Sequence, residues 1–178
     1  ADLLGDGFTW QTWRVFDGAL PDDAPECDGW VVSGSRHGAY EDHDWLEPLQ
    51  AFLRSVHGTR PLLGICFGHQ IVAQALGGRV EKFAGGWAVG RRAYDWDGDV
   101  VHLNAWHGDQ VVAPPPGARV VMRNDFTQYA GLAIGDTTLT VQPHPEFTRD
   151  FVADMIPEAG EGVVPEPVLD VARAGLDL

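Results

Sequence analysis

The stretch Gly64-Ile65-Cys66-Phe67-Gly68 constrains the fold of this chain more than any other five residues in it. Residues 60–65, Arg-Pro-Leu-Leu-Gly-Ile, read as a strand that is apolar on both faces, as central parallel strands are. The run continues without a loop into Cys66-Phe67-Gly68-His69-Gln70 and a helix over residues 71–76, closed by Gly77-Gly78. A strand that turns straight into a helix leaves no room for side chains on the flanking positions, hence the two glycines. The turn lifts the Cys66 sulfur above the sheet edge, at a helix N-terminus whose dipole favours negative charge. The Phe67 N–H points to the same spot, as half of an oxyanion hole. Taken alone, the pattern also fits a buried cysteine in a glycine-punctuated turn.

The flanking sequence extends this unit. Residues 29–33 form a short apolar run ending in Gly34, a buried-strand pattern. Residues 45–56 read as a helix with Leu46, Leu49, Phe52, Leu53 and Val56 on one face, Asp44 as its cap and Pro48 in its first turn. Residues 1–4 read as a helix tail, 8–16 as containing a strand, and 18–28 as a loop. From residue 79 to 141 short β-like pieces alternate with turns, at 91–96, 100–103, 118–123, 129–134 and 137–141. Helices are expected over 148–156 and 167–174. This order predicts an α/β fold: a three-layer sandwich with a mixed, mainly parallel central sheet and a small antiparallel set. A length of 178 residues suits one domain spanning 1–178.

Charge narrows the function. Twelve basic against 26 acidic side chains give −14, and Lys82 is the only lysine. Repulsion from phosphate argues against a nucleic-acid surface or an anionic membrane surface. No apolar run approaches the roughly 18 residues of a membrane span. Cys27 and Cys66 make no disulfide framework, which suits a reducing, cytoplasmic setting. There is no C-x-x-C and no H-E-x-x-H, so no zinc framework is expected, and nothing requires a metal or organic cofactor.

A cysteine nucleophile needs a base. His144 lies in Gln142-Pro143-His144-Pro145-Glu146, directly after a strand and between two prolines. Glu146 stands two residues on and can orient the imidazole. His69 reads as structural in the elbow helix, His37, His43, His57 and His102 as ordinary loop or strand residues, Glu41/Asp42 as a solvated loop, and Cys27 as inert. Trp10, Trp13 and Trp30 read as core, and Trp87, Trp96 and Trp106 as candidate pocket walls.

The two motifs together, Gly64-Ile65-Cys66-Phe67-Gly68-His69-Gln70 and Gln142-Pro143-His144-Pro145-Glu146-Phe147, resemble the class I glutamine amidotransferase domain, and most of all its GMP-synthetase-like branch. The resemblance covers residues 30–147. It implies Cys66 as nucleophile, His144 as base and Glu146 as its orienter. It implies Gly34 and Phe67 as the oxyanion hole, and Gln70, His107 and Asp109 as substrate-binding residues. Bottom-up, Asp109 and Gln70 suit an amino-acid substrate; equally, Gln70 reads as a helix-surface residue, His107 as a turn histidine and Asp109 as a solvated acid. The chain departs from the family at Ala88, where related domains commonly carry an acid. The family's first strand is expected before residue 1.

The implied reaction is hydrolysis of the glutamine side-chain amide through a Cys66 thioester, releasing ammonia for an acceptor or for a synthase subunit. A γ-glutamyl peptidase using the same triad, a catalytically silent binding or regulatory subunit, and another cysteine hydrolase or chaperone-like protein of related architecture remain open.

Overall fold

A computed structural model describes residues 4–22 and 24–177. Its element order is β1 (Trp30–Val32), α1 (Leu46–Val56), β2 (Leu62–Ile65), α2 (Phe67–Ala75), β3 (Arg79–Lys82), β4 (Ala88–Trp96), β5 (Asp99–His107), β6 (Asp109–Ala113), β7 (Arg119–Arg123), β8 (Gly131–Ile134), β9 (Thr138–Val141), α3 (Arg149–Met155) and α4 (Glu166–Ala174). A π-helical segment, Ile156–Gly160, joins the last two helices.

Seven strands form one sheet in the order β1-β2-β9-β8-β7-β4-β5, and β3 pairs with β6 in a separate sheet. The mixed sheet and the small antiparallel pair follow the expectation, but the balance inside the main sheet differs. Its parallel pairings are β1 with β2 and β2 with β9; the rest are antiparallel. The reason is local: after α2 the connections are turns too short to hold a crossover helix, and short turns join antiparallel neighbours.

The parallel part builds the core seen from the elbow. Leu62 and Ile65 of β2 are buried. The apolar stripe of α1 (Leu46, Leu49, Leu53, Val56) packs with Ile71, Val72 and Ala75 of α2. Full burial of each such side chain contributes about 1.5–3 kcal/mol. The register aligns Val32 with Gly64 and Ile65 with Val141. Three parallel strands therefore end at one edge, and the segments that follow them leave the sheet side by side.

The antiparallel part is dominated by the β4–β5 hairpin, paired from Ala88↔His107 to Trp96↔Asp99. Its turn is Asp97-Gly98 with φ of 48° and 98°. Two positive φ angles give the hairpin turn whose twist matches the strands it joins. Helix α4 packs on β4, with Leu169 and Ala172 buried against Val89.

Several expectations are corrected. The strand sought within residues 8–16 is irregular chain followed by a 3₁₀ turn, Val15–Asp17. Phe8, Trp10 and Phe16 are exposed, so their aromatic pattern marks no buried face and Trp10 is not core. Trp13 and Trp30 do pack, with ring centroids 5.2 Å apart. The helix tail expected over residues 1–4 lies mostly outside the described residues, and Leu4 is in a turn. Strands β3 and β6 lie outside the β-like pieces expected from sequence. Only Val80 of β3 is buried, so that strand shows no alternation to read.

Candidate active site

Cys66 stands between β2 and α2 with φ 53° and ψ −105°. A side chain at positive φ is held there only when its surroundings dictate it. Here they do. The Cys66 N–H donates to Val141 O at 2.9 Å, and the Cys66 carbonyl accepts the first helical bond from Gln70 N at 3.1 Å. A Cβ on Gly64 would lie 2.6 Å from Gly68 O, and one on Gly68 would run into the carbonyl of Val32. Both glycines are therefore dictated by close backbone approach. Phe67 is the first residue of α2, so its N–H has no intrahelical acceptor.

The segment after β9 brings His144 to the same edge. His144 N donates to Asn104 O at 2.8 Å, tying the Pro143-His144-Pro145 segment to β5. Asn104 Nδ2 donates to Phe147 O at 2.9 Å. The imidazole lies flat on the Phe147 ring, with centroids 3.8 Å apart and 10° between planes. Its Nδ1 pairs with Glu146 Oε1 at 2.7 Å, which leaves Nε2 for Cys66. Burial pushes the His144 pKa down, but hydrogen bonds to Cys66 and Glu146 outweigh it and raise it to about 9. The imidazolium is thus favoured between two acidic partners.

Gly34 follows β1 and closes the third side. A Cβ there would sit 2.9 Å from His144 Cε1 and 3.7 Å from the Cys66 Cβ. Only glycine fits between the two. The Cys66 sulfur also lies 3.8 Å from the Trp106 carbonyl oxygen, within reach of a thiol S–H. Cys66 and His144 are both buried, at 7% and 5% exposure, while the Glu146 side chain keeps 34% and faces water.

The structure also gathers Gln70, His107 and Asp109, though not as three free side chains. Gln70 Nε2 donates to Asp109 O at 3.0 Å and to Gln142 Oε1 at 3.1 Å. His107 Nδ1 is 3.1 Å from the same carbonyl. Burial holds the His107 pKa down at about 3, so the ring is neutral and Nδ1 is the donor. Gln70 and His107 therefore position the Asp109 backbone. The Asp109 carboxylate accepts from Tyr40 OH at 3.1 Å and lies 4.0 Å from Lys82 Nζ. Burial, then Asp109, raises the Tyr40 pKa to about 12 and keeps the phenol a donor. Ala88 faces His107 across the hairpin. Trp87 lies against Gly108, and Trp87 and Trp106 pack on the α3–α4 cluster; Trp96 sits at the hairpin turn, away from Ala88.

His69 is structural as expected: fully buried, neutral, and bonded through Nδ1 to Thr140 Oγ1 at 2.8 Å. Sequence reasoning missed Asn104 and Tyr40, and it named Trp106 as a candidate pocket wall, whereas its carbonyl is what faces the Cys66 sulfur. Asn104 O and Trp106 O are main-chain atoms in a long strand, and such contacts leave no motif.

Residues 16–151 match the family model for glutamine amidotransferase class-I. Gamma-glutamyl peptidase 4 of Arabidopsis thaliana is 34% identical over 172 residues, which is 86% of this chain and 68% of that relative. A glutamine-hydrolyzing GMP synthase of Aromatoleum aromaticum is 36% identical over 73% of this chain, but only 28% of that protein is covered. The solved structure of a glutamine amidotransferase from Methylobacillus flagellatus superposes with a TM-score of 0.82 at 24% identity, covering 98% of this chain and 82% of that one. It shares the fold.

Proposed function

Because the chain belongs to the class I glutamine amidotransferase family, we propose that it hydrolyses γ-glutamyl amide bonds with Cys66 as nucleophile, His144 as acid and base, and Glu146 as the group that orients His144. The chain is a cysteine hydrolase-type enzyme. The observation that carries the assignment of roles is the convergence of Gly34, Cys66 and His144, so close that a single Cβ at residue 34 would collide with the imidazole.

The steps follow from the geometry. Glu146 holds Nδ1, so Nε2 takes the Cys66 proton. The thiolate attacks the γ-carbonyl carbon, and the oxyanion is held by N–H groups at Gly34 and Phe67. His144 returns the proton to the departing amine as the C–N bond breaks. Water, deprotonated by His144, then attacks the thioester, releases a γ-carboxylate and restores the Cys66 thiol. The Asp109 carboxylate, steadied by Tyr40, is the side chain suited to the ammonium of the γ-glutamyl group. A reducing, cytoplasmic setting would keep the thiol free.

The substrate class rests on the likeness to gamma-glutamyl peptidases of Arabidopsis thaliana, of which the chain covers about two thirds or more. A second reading, glutamine hydrolysis with ammonia passed to a synthase partner, is favoured by the likeness to glutamine-hydrolyzing GMP synthases. Glutamate release from a panel of γ-glutamyl conjugates and from glutamine separates the two. Higher kcat/KM on a conjugate, lost in Cys66→Ala, is expected. A preference for free glutamine over every conjugate would instead favour the second reading. A glutamine-like electrophile should label Cys66, and neither turnover nor labelling would overturn both.

A further inference from the structure

The loop between β1 and α1 carries a second cluster of reactive side chains that the hydrolysis does not use. His37, Glu41 and His43 each offer one ligand atom, and these atoms lie within 4.8 Å of one another. Glu41 Oε2 is 3.4 Å from His37 Nδ1 and 2.8 Å from His43 Nε2. One carboxylate oxygen is thus shared by two imidazoles. The rings are braced from behind: His43 stacks on Trp45 with 10° between planes, and His37 meets both rings edge-on. The loop itself is pinned. Gln74 Nε2 donates to Ala39 O at 2.7 Å, and Tyr40 OH donates to Asp109.

We propose that His37, Glu41 and His43 form a binding site for a divalent transition ion of the zinc class. Imidazole and carboxylate are the donors such ions select, and two histidines with one carboxylate leave a fourth position open. Ligands about 2.0–2.2 Å from a tetrahedral ion lie roughly 3.3–3.5 Å apart. The His37–Glu41 separation already has that value. The His43–Glu41 contact needs to open by about half an ångström, within the reach of side-chain torsions. The ion takes the place of the hydrogen bond between His43 Nε2 and Glu41 Oε2. A pocket lined by Phe16, Leu20, His37, His43, Trp45 and Pro48 gives the entry path and room for the remaining water ligand. The net charge of −14 draws cations to the surface. The spacing His-x3-Glu-x-His on an irregular loop matches neither zinc motif sought in the sequence.

The test is a Co²⁺ titration of the untagged chain, read by visible absorption and followed by Zn²⁺ displacement. It is run in wild type and in Cys66→Ala, which removes the other thiolate–imidazole pair. One equivalent bound with tetrahedral bands, displaced by Zn²⁺ and retained in Cys66→Ala, is expected. His37→Ala and Glu41→Gln should each weaken binding at least tenfold. His43→Gln, which keeps a hydrogen-bonding group beside Glu41, should do the same with an unchanged melting temperature. Absence of any binding tighter than about 0.1 mM, or equal affinity in the loop variants, would overturn the proposal.

Discussion

The two halves of the seven-stranded sheet do different work. In the parallel half, β1, β2 and β9 end at one edge and release Gly34, Cys66 and the His144 segment as neighbours. In the antiparallel half, the β4–β5 hairpin contributes mostly main-chain atoms: Asn104 O holds His144 N, and Trp106 O faces the Cys66 sulfur. Parallel strands gather the ends of distant segments at one place, so chemistry concentrates there. A hairpin delivers a long, stiff rail, and it clamps what the other half presents. If this division holds, substitutions in the first half cost reaction rate or the fold, and substitutions in the second cost only modest positioning.

The largest expected effect is on rate. His144→Ala should lower kcat/KM for a γ-glutamyl conjugate by at least about 10³-fold. Retention of a tenth of the activity would remove His144 from the proposed chemistry. Next comes Gly68→Ala, which drives a Cβ into the Val32 carbonyl and should cost about 3 kcal/mol or more, as backbone collisions in a core do. Its counterpart in the hairpin, Gly98→Ala, meets nothing within 4 Å and bears only the strain of φ 98°, about 1–2 kcal/mol. Equal losses in urea unfolding would break the contrast between the halves.

The same contrast explains what could be read from the sequence. The elbow was legible because its constraint is local: strand, two glycines and helix are contiguous. The Pro-flanked His144 and Glu146 were legible for the same reason, being two residues apart. Strands β3 and β6 escaped because one or two buried residues per strand give no period. Asn104 escaped because its service to His144 is a carbonyl, and every residue has one. The Gln70 and His107 side chains are both occupied by the Asp109 carbonyl; for Gln70 that is a contact across 39 residues of sequence, which no local pattern shows. The loop histidines His37 and His43 looked unpartnered because their meeting with Glu41 depends on how an irregular loop folds back.

A smaller effect, and a sharper one, concerns Glu146. The folded pKa of His144, about 9, lies above its ordinary 6.5. The stabilisation by its positive charge is therefore complete below about pH 6.5 and is lost as pH rises through about 9. The rate should fall in the same window, because the departing amine needs that proton. Glu146→Gln removes one of the two partners that raise the pKa. It should lower kcat by about 10²-fold and move the alkaline limb of the profile to lower pH. An unmoved limb would mean that Glu146 does not govern the imidazole.

The smallest effect tests the antiparallel half itself. Asn104→Ala deletes the Nδ2 donor to Phe147 O, while the backbone bond from His144 N to Asn104 O survives because it uses the main chain. The loss is one neutral hydrogen bond, about 1 kcal/mol of stability. Phe147 is the ring beneath the imidazole, so its carbonyl anchor matters for orientation. That predicts a few-fold fall in kcat, roughly what a loss of about 1 kcal/mol gives, with KM unchanged. A fall as deep as that of His144→Ala would mean that the hairpin does more than clamp, and the division of labour between the two halves would fail at its weakest joint.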